Sequence, residues 1–289
     1  MATAITTHAP PKSKTQLARE LGVCRQLLYY TPTLPAKDMA LKAQIDGVME
    51  KHAAYGHKRI AMELVVNKKR VLRVMKLFHL KPKRTRGIQP EKPKDTGAKP
   101  MEIPNRIRSM LVTHPHEVWV SDFTYLPYHN SFVYLATVED LFTRKILGWS
   151  VSVRHTAGLV TESLLDALTR HHRPEIFHSD QGSEYRSDLF LGTLAQEKIL
   201  PSMSEKASPT QNGHQESFYS QFKLELGHPD CYETMGELIE AIAIQIHYYN
   251  TARIHTALKC APDIFEKRFE FYQLTTVNQK VLSVEKMGT

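Results

Sequence analysis

This 289-residue chain predicts a mixed α/β core preceded by an all-helical, basic region. Three observations carry that reading. From Glu117 onward, "EVWVSDFTYLPY", "SFVYLATVEDL" and "RKILGWSVS" read as three strands, and helical and strand-like runs then follow, giving the order βββαβαβα. That order predicts a mixed sheet with helices on its faces. Charge is segregated: residues 1–100 hold 21 Lys and Arg against 7 Asp and Glu, a net of +14, whereas residues 101–289 hold 17 against 23, a net of −6. Between the two lies "KRTRGIQPEKPKDTGAKPMEIPN", rich in Lys, Pro and Gly and poor in apolar side chains, which reads as a linker.

The elements follow in order. "SKTQLARELGVCRQLLYY" has helical periodicity interrupted at Gly22, which fits a helix-turn-helix segment within residues 1–37. A second helical unit, 38–82, runs through "YGHKRIAMEL" into "NKKRVLRVMKLFHLKP". There Val71, Leu72, Met75 and Leu80 form an apolar stripe beside Lys68, Lys69, Arg70 and Arg73, and Pro82 ends the helix. With Lys58 and Arg59 these are the expected DNA-binding side chains; a bundle whose charges only solvate it is the alternative. The linker is set at 83–112, the catalytic core at 113–228 and a C-terminal helical region at 229–289. Within the core, three consecutive strands with short connections predict an antiparallel meander, with "HN" at the first turn. "TAGLVTESLLDALTRHH" reads as a helix with Thr156 as N-cap, "PEIFHSD" as a short buried strand, "SDLFLGTLAQEK" as a helix and "ILPSMS" as a last strand. "KASPTQNGH" is a turn-rich loop before the helix "NGHQESFYSQFKLEL".

Composition narrows the class. Apolar residues make up 42% and charged residues 24%, as in a globular chain. A net +14 confined to the first third points to a polyanion partner. The 3 cysteines (Cys24, Cys231 and Cys260) form no CxxC pair, which argues against a disulfide framework or a thiolate zinc site. No run reaches the roughly 18–20 apolar residues needed to span a bilayer, and "MATAITTHAPPKSK" lacks a signal-like apolar core. The expectation is a cytosolic protein that does not engage a membrane. No GxxxxGK[ST] run supports an ATP-driven mechanism.

Three acids carry the chemistry. Asp122 lies in a strand-like run, Asp180 ends another and opens the turn "QGSEY", and Glu216 lies on a helix with 35 residues between it and Asp180. Each alone has an ordinary reading, as an exposed carboxylate, a turn former or a favourable helix-dipole contact. Together, carboxylates on separate elements beside apolar runs can converge on a pair of divalent cations, as phosphodiester hydrolysis or exchange requires. Lys223 follows Glu216 by seven residues, which leaves the two only ~20° apart around the helix. Ser220 shares that side. A carboxylate and a cation on one helix face suit a phosphate backbone running along it. His178, two residues before Asp180 on a strand, faces the same side and is either a neighbour of the site or a satisfied core histidine.

These motifs resemble a family. "LGVCRQLLYY", "YGHKRIAMEL", "WVSDFTYLP", "VEDLFTRKILGWSVS", "HSDQGSEYRS", "SMSEKASPTQNGHQESFYSQFKLEL" and "HYYNTARIHTALKCAPDIF" lie in the order found in bacterial insertion-sequence transposases of the second-reading-frame type. The resemblance covers about residues 20–268 and implies an RNase H-like, retroviral-integrase-like core. It further implies catalytic, metal-binding acids at Asp122, Asp180 and Glu216, a DNA contact at Lys223, and dependence on Mg2+ or Mn2+, two ions being expected. The implied reaction is nicking at element ends followed by direct attack of the freed 3′-hydroxyl on target double-stranded DNA. The implied partners are a second copy of the chain when active and a first-reading-frame product. Gln181, Glu184 and Gly213 stand where Arg, Gln and Ala are commoner. Two rival readings stay open: an RNase H-like nuclease without strand transfer, and a DNA-binding relative that has lost the chemistry.

Overall fold

The computed structural model describes residues 13–29, 34–83, 103–204 and 213–285. Most of the expected linker, the turn-rich run at 205–212 and residues 1–12 lie outside these. Helix α1 (Lys14–Glu20) carries a capping box in which the Ser13 hydroxyl accepts from the Gln16 amide. After Gly22, at φ +64°, comes a 3-10 helix over Arg25–Tyr29, where the sequence predicted a second α-helix. Helices α2 (Leu34–Lys51), α3 (His57–Glu63) and α4 (Lys68–Leu77) enclose a small core of their own. Leu41, Ile45, Val48, Tyr55, Ile60, Val71 and Val74 fill it. Those on α2 and α4 fall three to four apart, so one stripe of each turns inward, and Tyr55 joins them from the turn before α3.

The following region is built on a five-stranded sheet in the order β3-β2-β1-β4-β5. The strands are β1 (Val118–Tyr128), β2 (Ser131–Asp140), β3 (Ile146–Ser152), β4 (Ile176–Ser179) and β5 (Leu200–Met203). β1, β2 and β3 form the expected antiparallel meander, and β4 and β5 join parallel to β1. Tyr128 pairs with Ser131, leaving His129 and Asn130 as a two-residue turn. His129 has φ +50°, the left-handed backbone that such a tight hairpin demands.

Side chains alternate across this sheet and give it two apolar faces. On one, Trp119, Ala136, Val138 and Phe177 meet α5 (Ala157–Arg170) and α6 (Asp188–Gln196) through Val160, Leu164, Phe190 and Leu194. Gly148 permits the close approach of α5: a Cβ there would lie 2.4 Å from the Ser163 carbonyl oxygen. On the other face, Leu126, Val133 and Leu135 meet α7 (Gly213–Leu226) and α8 (Met235–Thr251) through Phe218, Phe222, Leu238 and Ile242. Thr156 does occupy the N-cap position of α5, but its hydroxyl makes no capping bond; Ser187 and Thr234 cap α6 and α8. Helix α9 (Pro262–Glu285) docks through Phe265 and Phe269 on Phe142, and Lys145 pairs with Asp263 at 3.0 Å and Glu266 at 2.7 Å. No helix among the described residues is long and apolar enough to cross a membrane.

Glu139 gives the fold a pH signature. Its carboxyl is fully buried, 3.8 Å from the Arg144 guanidinium, too far for a hydrogen bond. Burial pushes its pKa from the usual 4.5 up to about 8, with Asp140 adding to the rise and Arg144 opposing it. Because the folded pKa lies above the unfolded one, the folded chain holds the proton more tightly. The stability from this group is present below about pH 4.5 and is lost as pH rises through about 8. The fall in Tm between pH 5.5 and 8.5 is therefore expected to shrink in Glu139→Gln, measured by thermal unfolding. An unchanged fall would refute the assignment.

Candidate active site

The strand order places the first two acids side by side. β1 and β4 are parallel neighbours in which Val120 pairs with His178. Two residues further along lie Asp122, in the middle of β1 just past its pairing with β4, and Asp180, just past the carboxyl end of β4. Asp122 is half-buried, and one of its carboxyl oxygens accepts from the Phe123 amide at 2.8 Å. Asp180 closes a turn by accepting from the Gly182 amide at 2.9 Å. A side chain at Gly182 would crowd the acids, since its Cβ would stand 3.0 Å from Asp180 Oδ1.

The third acid is delivered by α7, which is bolted to the backbone of β1. Gln215 donates to the Val120 carbonyl at 3.2 Å and accepts from Thr137 at 3.2 Å. The Tyr219 hydroxyl donates to the Asp122 carbonyl at 2.5 Å and meets the Thr137 hydroxyl at 2.8 Å. Thr137 is itself the cross-strand partner of Asp122. These bonds hold the first turn of α7, and Glu216 within it, over the strand that carries Asp122. Glu216 is exposed at the mouth. Among the described residues no three His, Cys, Asp or Glu side chains form a ready metal-binding group. Asp122 and Asp180 are thus brought together, while Glu216 faces them from α7 without completing a shell.

The electrostatics show what the site lacks. Burial, with Asp180 and Glu216 adding to it, pushes the Asp122 carboxyl from 3.8 up to about 8 against the Phe123 amide and Lys223. Asp180 is raised by burial and by Glu184, and lowered by its Gly182 hydrogen bond and by Arg186. Two neighbouring carboxylates that resist ionisation are short of positive charge. A hard divalent cation with oxygen ligands fits that donor set. Lys223 supplies part of the charge. Its ammonium lies 4.2 Å from the centre of the Tyr125 ring, and burial lowers its pKa from 10.5 to about 8, against the pull of Asp122.

The other expected residues divide. Ser220 is exposed on the Glu216 side of α7. His178 is a core histidine: it is fully buried, its Nδ1 lies 2.9 Å from the Ser202 hydroxyl, and burial lowers its pKa to about 4. Lys58, Lys68 and Lys69 are exposed. Arg70 is exposed and reaches the Lys37 carbonyl at 3.4 Å. Arg73 forks onto the carboxylate of Asp38, with one bond of 2.7 Å. Arg59 turns inward, donating to the Ile254 carbonyl at 3.0 Å. In the free chain Arg59 and Arg73, read from the sequence as DNA-facing, each have protein partners across the fold.

Structure adds residues that the motifs did not single out. Tyr185 lies fully buried with its hydroxyl 2.9 Å from the Ser121 hydroxyl, and its phenol is raised well above 10 by burial and by the charge of Asp122 and Asp180. His155 holds Glu184 at 2.9 Å and stacks parallel to Phe123, with ring centres 6.2 Å apart. Only the position of Glu184 in the turn after Asp180 hinted at its place; nothing local pointed to His155, 29 residues away.

Comparison with known proteins identifies the family. The Integrase core domain family model matches residues 112–209, and a second model of the same description matches residues 197–262. The transposase of insertion sequence element IS904 from Lactococcus lactis is 37% identical over 238 residues, spanning 78% of this chain and 93% of that protein. The putative transposase InsK of IS150 from Escherichia coli K12 is 31% identical over 262 residues, spanning 84% and 89%. The HTLV-2 integrase catalytic core domain, solved in complex with magnesium, superposes with a TM-score of 0.42 at 18% identity over 53% of this chain and 97% of that one. By class, then, the chain is an integrase-core polynucleotidyl transferase with an RNase H-like mixed sheet. It belongs to the family of insertion-sequence transposases, which act in DNA transposition and integration.

Proposed function

We propose that this chain cleaves DNA at the ends of an insertion element and joins the freed 3′ ends to target DNA, using Asp122, Asp180 and Glu216 as its catalytic acids. The supporting observation is the closeness of Asp122, mid-way along β1, to Asp180 at the end of the neighbouring β4, short of positive charge, beneath a helix that carries Glu216 and Lys223. Magnesium or manganese, two ions in the reading favoured here, would be held by the three acids and would supply charge stabilisation for the attacking and leaving oxygens.

The chain's own residues do the rest. Gln215 and Tyr219 fix the height of Glu216 above Asp122. Lys223 offers its ammonium to a phosphate that runs along α7. Cleavage is hydrolysis that leaves a 3′-hydroxyl. In joining, that hydroxyl's oxygen forms a bond to a target phosphorus as another 3′ oxygen leaves with the proton. One phosphodiester is exchanged for another, so no ATP is required. Two ends to be joined imply at least two copies at work, in the cytosol, and a first-reading-frame partner fits the same picture.

The test is a strand-transfer assay on pre-nicked end DNA with magnesium or manganese. Joined product is the expected result. Hydrolysis without joining would favour a plain nuclease, and DNA binding with no cleavage under either metal a silent relative.

A further inference from the structure

Resting on that function, we propose that Arg59 is a positioning residue that couples the N-terminal helical unit to catalytic helix α7, rather than a contact to DNA. Helix α7 has two working faces. Glu216 and Lys223 lie on one, and Gln221 and Glu225 on another. The second face is held by a polar cluster reaching in from α3 and from the turn after α8. The Arg59 guanidinium donates to Gln221 Oε1 at 3.4 Å and to the Ile254 carbonyl at 3.0 Å. Arg253 donates to the same Gln221 oxygen at 3.0 Å and pairs with Glu225 at 2.8 Å. Around them, the Tyr55 hydroxyl accepts from the Ile254 amide at 2.7 Å, and His52 lies 2.6 Å from the Tyr248 hydroxyl. Ile254 also packs against the core of α2–α4.

This junction is costly in a way that an adhesive contact would not be. Two guanidiniums share one glutamine oxygen and sit beside a single carboxylate, with the Arg253 side chain 2% exposed and that of Glu225 11%. Buried charge of this kind adds little to stability over an apolar contact, yet it fixes one geometry. What it fixes is the rotation and height of α7 relative to the unit that seats DNA. Arg59 suits this because its planar fork reaches two acceptors on different segments.

The experiment compares wild type, Arg59→Gln, Arg59→Lys and Gln221→Met as full-length chains on labelled end DNA. For Arg59→Gln the joining rate at saturating DNA is expected to fall at least about tenfold, with end affinity within about twofold. The salt slope of binding should stay unchanged, whereas loss of a phosphate contact lowers it by about one. Arg59→Lys should recover part of the rate, and Gln221→Met should reproduce the loss from the α7 side. Amide exchange in α7 should quicken in both Arg59→Gln and Gln221→Met. A saturated rate within twofold of wild type, or a slope reduced by one with a parallel loss of affinity, would overturn the proposal. Should Arg59→Gln unfold, Gln221→Met decides by the same criteria. A wild-type chain unable to join ends would refute the function, while α7 exchange would still report on the coupling.

Discussion

Asp122→Asn, Asp180→Asn and Glu216→Gln are each expected to abolish metal-dependent cleavage and joining of element-end DNA while leaving DNA binding in place. The reason is charge at a fixed place. A divalent cation supplies several kcal/mol of transition-state stabilisation, and each ~1.4 kcal/mol is a factor of ten, so losing one ligand should cost about a thousandfold or more. Asp122→Asn carries a second signature. In the free chain its carboxyl is pushed up to about 8 by burial and by Asp180, so the folded state disfavours the anion, and the amide removes that conflict. The variant should therefore melt higher than wild type above about pH 8 without metal, and gain less from added magnesium. Calorimetry beside a joining assay reads both. Full activity in any one of the three variants would remove that residue from the site.

How far the sequence reached is visible residue by residue. Asp122 and Asp180 were legible because strands alternate and because apolar runs lead into both; parallel pairing of β1 with β4 then sets the middle of β1 beside the end of β4. The order βββαβαβα likewise followed from periodicity alone, and the sheet has it. Glu216 and Lys223 were legible as a helical pair. Partners that close through space were not. Arg73 finds Asp38 35 positions away, and Arg59 finds Ile254 195 positions away. In a local window both are only Lys- and Arg-rich sequence. The Gln215–Val120 and Tyr219–Asp122 bonds that seat α7 are equally silent, since no periodicity encodes which backbone carbonyl a side chain will meet.

The same distinction yields the second large effect. Lys68→Ala with Lys69→Ala is expected to lower the affinity for end DNA, by about tenfold or more at moderate salt, and to reduce the slope of log affinity against log salt by roughly two. Both ammonium groups sit in the exposed first turn of α4, whose N-cap Asn67 accepts from the Lys69 amide at 2.9 Å. That turn offers backbone donors and cations to the same phosphate. Arg73→Ala, about one turn further along the same basic run, should leave the slope unchanged and lower the Tm instead. Its guanidinium is spent on Asp38, whose side chain is 4% exposed, and the bond holds that carboxyl below its ordinary 3.8. A depressed carboxylate stabilises the fold above the unfolded pKa, so the Tm penalty of Arg73→Ala should fade as pH falls below 3.8 toward the lower folded pKa. Equal loss of salt slope in both variants would place Arg73 on DNA and Asp38 as a pairing broken on binding. A slope unchanged by Lys68→Ala with Lys69→Ala would move the DNA-seating surface off α4 altogether.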